Sequence, residues 1–147
     1  MAFTEFVWRI DVIDDVVASE IQRESERLMT ESINWSEVGF RRQTIHVYGM
    51  VALSNMLWAN HRITWMNLHS NFLDADDMWY LADALAVNTS LKTLLLHVNL
   101  IDTMGCRWLS WALPENESLT ELDLSYNLIG APAPLWLAEG LRGKCQV

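Results

Sequence analysis

Apolar residues return along this chain in a fixed order. Leu119, Leu122, Leu124 and Ile129 alternate with polar positions and surround Asn127. A shift of 28 residues gives Leu91, Leu94, Leu96 and Ile101 around Asn99, and a second gives Ile63, Met66, Leu68 and Leu73 around Asn71. Two more give Trp35, Val38, Phe40 and Ile45 around Gln43, then Val7, Ile10, Val12 and Val17 around Asp15. Alternation of the L-x-L kind predicts a strand with one buried face. Leu81 with Leu85, and Leu109 with Leu113, form stripes at the spacing of one helix face. Each unit is therefore expected to be a strand, a turn and a helix. Parallel strands are expected near Ile10, Val38, Met66, Leu94 and Leu122. The Asn column suits a tight turn, because a carboxamide can bond to otherwise orphaned backbone groups.

The whole chain, 1–147, reads as one domain. Its divisions are a degenerate N-terminal capping repeat at 7–34 and repeats at 35–62, 63–90, 91–118 and 119–146. The first unit carries the polar run Glu20 to Glu26 and has Ser25 in a core Leu column, as a cap should. The last unit carries Leu135, Trp136 and Leu137 without such a polar face. Its strand edge and helix flank are expected to be open, a liability unless a neighbour covers them.

The pattern L-x-x-L-x-L-x-x-N-x-I, followed by G-x-x-x-L-A-x-x-L-x-x-N, resembles a leucine-rich repeat. It is most similar to the 28-residue subtype of ribonuclease inhibitor, Ran GTPase-activating protein, tropomodulin and the C-terminal parts of NOD-like receptors. The resemblance covers residues 35–141 well and 7–34 loosely. It implies an α/β right-handed solenoid, a horseshoe fragment with parallel strands on the concave face and helices on the convex face. It also implies a eukaryotic, intracellular protein. It says little about function, because many functions share such a scaffold.

Composition narrows the function. Lys and Arg total 10 against 19 Asp and Glu, for a net charge of −9. A phosphate backbone needs a basic face, so nucleic acid is not an expected partner. No run approaches the length of an uncharged membrane-spanning helix, and Glu5, Arg9 and Asp11 interrupt any apolar leader. Direct membrane insertion is not expected. The location is read as cytoplasmic, cytoskeletal or ciliary, with a mitochondrial one left open. Two cysteines, Cys106 and Cys145, make no disulfide framework and have no zinc-ligand spacing.

Two candidate surfaces emerge. On the strand face, Arg41, His69 and His97 should lie side by side, bordered by Trp65, Asn67 and Leu95. A Trp beside Arg and His has the composition of an interface hot spot. On the helix face, or the C-terminal edge, stand Tyr80 and four of the chain's 8 Trp, namely Trp79, Trp108, Trp111 and Trp136. The bland alternative packs these indoles between neighbouring helices. His69 and His97 lack a carboxylate or thiol at ligand spacing within their columns, so neither metal binding nor acid–base catalysis is expected. No phosphate loop or dinucleotide fingerprint is present, and no cofactor is expected. The reading is a non-catalytic protein–protein interaction module, a structural or accessory subunit of a larger assembly. The alternative is a regulator that inhibits or activates an enzyme or GTPase through its concave face.

Overall fold

A computed structural model describes residues 32–34 and 46–142. Four short strands and four helices alternate along them. They are β1 Ser32–Asn34, α1 His46–Ala59, β2 Trp65–Asn67, α2 Ala75–Val87, β3 Thr93–Leu95, α3 Thr103–Ala112, β4 Glu121–Asp123 and α4 Ala133–Gly140. All neighbouring strands pair in parallel in the order β1-β2-β3-β4. Trp65, Thr93 and Glu121 are register partners across the last three.

Local chemistry starts and stops these elements. Asp74 caps α2 by accepting the Asp76 and Asp77 N–H groups at 2.9 and 3.3 Å. Asp77 returns the bond, accepting from the Asp74 N–H at 3.0 Å. This reciprocal box satisfies orphan donors at the helix start. It also explains why a carboxylate stands at Asp77, where the repeats at 35–62, 91–118 and 119–146 have Gly49, Gly105 and Ala133. Asp102 caps α3 through the Met104 and Gly105 N–H groups at 2.9 and 3.0 Å. Gly105 permits close packing of α3 on α2. A Cβ there would lie 2.8 Å from Ile101 Cγ2 and 3.4 Å from the Ala75 Cα.

The core lies between the strands and the helices. Met66, Leu68, Leu94 and Leu96 point into it from the sheet, against Leu53, Leu57, Leu81, Leu85 and Leu109 of α1, α2 and α3. Two columns of buried Asn seam the units together. Asn99 Nδ2 donates to the Leu68 and Leu96 carbonyls at 3.0 and 2.8 Å. Asn88 Nδ2 donates to Leu57 and Asn60, and Asn116 Nδ2 to Leu85 and Asn88.

The structure corrects the expected architecture. The described residues form a small α/β domain around one short parallel sheet, not a leucine-rich-repeat right-handed solenoid or a ribonuclease-inhibitor-like horseshoe fragment. A period specifies the local unit, whereas a horseshoe is set by how many regular units stack. β2, β3 and β4 hold the expected centres at Met66, Leu94 and Leu122. The strand that pairs with β2 is β1, with Ile33 opposite Met66, and Val38 lies outside the described residues. The strand expected near Ile10 lies outside the described residues. Leu124, expected in the deep core, is only half-buried, since no further described strand packs against β4.

Candidate functional site

The strand face brings the two histidines together. His69 and His97 occupy equivalent positions after β2 and β3, and their rings stack with centroids 4.1 Å apart at 16°. Asp123, at the end of β4, completes a row: its carboxylate lies 3.4 Å from His97 Nδ1, off the line of a well-aligned hydrogen bond. Bonds from the Ser125 hydroxyl and N–H hold the Asp123 carboxyl below its usual value of 3.8, and the nearby His97 and His69 act in the same direction. Trp65, Asn67 and Leu95 are half-buried on this sheet, as the column reading placed them. Arg41 lies outside the described residues.

The chemistry of this row is limited. Ser70 Oγ lies 3.1 Å from both ring nitrogens of His69, so it faces the ring side-on instead of sitting on one nitrogen lone pair. The carboxylate is beside the other histidine. Nucleophilic catalysis needs one base aligned with the nucleophile and held by a third group. That sequence of contacts is broken here. Among the described residues no group of three or more His, Cys, Asp or Glu is arranged to hold a metal ion.

The helix face is more developed. Trp79 of α2 meets Trp108 of α3 edge-on, with centroids 4.7 Å apart at 90°. Trp108 meets Trp111 in the same manner at 4.8 Å and 77°. Arg107 places its guanidinium 5.3 Å from the Trp111 ring centroid and 5.7 Å from that of Trp136. The ridge thus runs across three helices. Trp108 and Trp136 are half-buried, whereas Trp79 and Trp111 are 52% and 57% exposed. Tyr80 is half-buried, and Trp58 of α1 stands exposed.

Two shallow clefts flank Trp111. One, of about 240 Å³, is lined by Trp79, Ala82, Asp83, Ala86, Trp108, Trp111 and Ala112. The other, of about 350 Å³, includes Arg107, Trp111, Trp136 and Glu139. Arg107, Asp83 and Asp123 were not singled out by the sequence reading. The signal for Asp83 is its helix spacing: residues 79, 82, 83 and 86 share one face of α2. For Asp123 it was register alone, beside Leu95 and next to the His97 row.

No family model matches this chain, and no curated protein sequence matches it. Solved structures do. The structure of leiomodin-1 actin-binding site 2 matches with a TM-score of 0.69 at 21% identity, over 88% of this chain and 73% of that one. The tropomodulin C-terminal domain of Caenorhabditis elegans matches with a TM-score of 0.48 at 17% identity, over 86% of this chain and 91% of that one. The leiomodin-1 likeness shows the fold, and it replaces the expected ribonuclease-inhibitor-like type with this small α/β domain. The apolar columns report the inside of each unit. They do not report the overall assembly.

Proposed function

We propose that this chain is a non-catalytic protein-binding domain that docks a partner on the tryptophan flank of α2, α3 and α4. The observation that carries this reading is the contiguous indole ridge with Trp79 and Trp111 half out of solvent contact and half in it. Trp supplies a large apolar area with few rotatable bonds, and an indole ridge beside Arg107 is the composition of binding hot spots. The C-terminal end adds to the same surface. Leu122, Leu124 and Leu137 are half-buried there, and Leu128 and Leu135 are 64% and 72% exposed. A neighbour on α4 would cover them together with Trp136, which fits membership of a larger assembly.

The test is a photo-crosslinking residue placed at Trp111 in cells, compared with one at an exposed position on the strand face, such as Glu121. The reading expects specific protein adducts from the first, lost when Trp79 and Trp136 are replaced by Ala. Adducts from the strand face alone would move the interface to Trp65, His69 and His97. The regulator of an enzyme or GTPase is not retained, since the structural likeness is to a binding domain.

A second, more specific reading is favoured by the fold. The matched region of leiomodin-1 is titled an actin-binding site. We infer actin as the first partner to test, and with it a cytoskeletal association. Co-sedimentation with filaments and fluorescence titration with monomeric actin decide it. Absence of binding in both would remove actin and leave the docking flank to be tested by crosslinking. No helix among the described residues is long and apolar enough to cross a membrane.

A further inference from the structure

The cleft between α2 and α3 has a chemistry more specific than apolar docking. Three indoles line it, those of Trp79, Trp108 and Trp111, with adjacent rings near perpendicular. Ala82, Ala86 and Ala112 leave the space between them open. One carboxylate, that of Asp83, stands on the lining. Indole faces carry negative potential, and several faces around one carboxylate form a site for a cation.

The neighbouring cleft shows what such indoles do here. Trp111 lines both clefts. In the second, the chain supplies its own cation, because Arg107 sits over Trp111 and Trp136 with Glu139 on the same lining. Two indoles, a guanidinium and a carboxylate are thus already combined once. The first cleft repeats the indoles and the carboxylate, and Arg107 does not line it. The net charge of −9 draws cationic groups toward the chain.

We propose that the Trp79–Trp108–Trp111 cleft binds an arginine side chain presented by the partner, with its guanidinium against the indoles and near the Asp83 carboxylate. This rests on the reading of the tryptophan flank as a docking surface and names the group that the surface takes. A planar guanidinium suits stacking on indole faces while its edge donates to a carboxylate. A volume of about 240 Å³ has room for the head of one such side chain. The three alanines keep that room, so a larger residue at Ala86 would occupy it.

The experiment is a titration of the ¹⁵N-labelled protein with N-acetyl-arginine amide, with N-acetyl-citrulline amide as the uncharged isostere. The indole N–H signals of Trp79, Trp108 and Trp111 should shift saturably with the arginine probe, and not with citrulline. Asp83→Asn, at an exposed position, should weaken binding about five-fold. Ala86→Phe should abolish it, with the remaining amide spectrum reporting whether the fold is kept. Equal shifts with citrulline, or no effect of Asp83→Asn, would overturn the proposal. Tighter binding of trimethyllysine amide than of the arginine probe would also overturn it, in favour of a quaternary ammonium. The docking reading fails separately. Partner adducts at Trp111 without arginine binding leave docking intact and remove the guanidinium. Arginine binding without such adducts keeps the cation cleft and removes docking.

Discussion

Asn99 closes the turn that contains Asn71. Its Oδ1 accepts the Asn71 N–H at 2.9 Å and the Leu73 N–H at 3.1 Å, across 28 and 26 residues of chain. Its Nδ2 binds the Leu68 and Leu96 carbonyls. With a longer contact from Nδ2 to the His97 carbonyl at 3.4 Å, one carboxamide, buried at 5% exposure, thereby serves five backbone groups in two units.

Replacing Asn99 with Ala should accordingly be severe. A buried backbone group left without a partner costs about 1–3 kcal/mol, and here more than one is stranded. We expect a loss of about 3 kcal/mol or more in denaturant melts. A loss under about 1 kcal/mol would mean that solvent replaces the carboxamide freely.

The residue just before each of these Asn adopts a left-handed backbone. Ser70, Val98 and Tyr126 have φ of 56°, 55° and 55°. A β-branched residue is the least suited of the three to that region, and Val98 is 43% exposed, so it gains little from burial. Val98→Asn should raise stability by about 1 kcal/mol, with an increase in Tm of several degrees. An unchanged or lower Tm would show that the Val98 side chain contributes more through packing than its conformation costs.

Cys106 is buried in the core on α3. Burial, and secondarily the charge of Asp102, push its thiol up to about 11. The thiolate is the reactive form, so alkylation of Cys106 at pH 8 should be slow in the native protein and fast once unfolded. Peptide mapping after iodoacetamide treatment separates it from Cys145. Rapid native labelling of Cys106 would indicate that α3 opens readily.

Asp123 should titrate below 3.8, because the Ser125 hydroxyl and N–H bind its charged form. The lowered value sets the sign. The contribution of this carboxylate to stability is present above its unfolded value and is lost as pH falls through its folded one. NMR titration of the Asp123 carboxyl carbon gives the midpoint. Ser125→Ala should raise it toward 3.8 by removing the hydroxyl bond. No movement would assign the shift to the N–H and the histidines.

Much of the local structure was legible in the sequence. The strand centres at Met66, Leu94 and Leu122 and the burial of Leu68, Leu81, Leu85, Leu96, Leu109 and Leu113 follow from the apolar columns. Alternation and i, i+4 spacing encode which side of an element leaves water. The column of Asn71, Asn99 and Asn127 was legible for the same reason, since a polar residue repeated at one core position must bond to backbone. The side-by-side placement of His69 and His97 followed from parallel register, whereas the stacking of their rings did not.

Other features depended on three dimensions. The place of β1 at Ile33 depended on which segment could pair with β2, a choice the weaker apolar pattern of that unit did not specify. The half-burial of Leu124 depended on how many strands stand beyond it. The architecture as a small α/β domain depended on the number of regular units, which local periodicity does not count. Above all, the meeting of Trp79, Trp108 and Trp111 depended on how α2 lies against α3. Outward-facing side chains leave no periodic mark of their neighbours, because their contacts are set by the packing offset of whole helices. The sequence by itself determined the inside of each unit; the packing of units decided what its outside can bind.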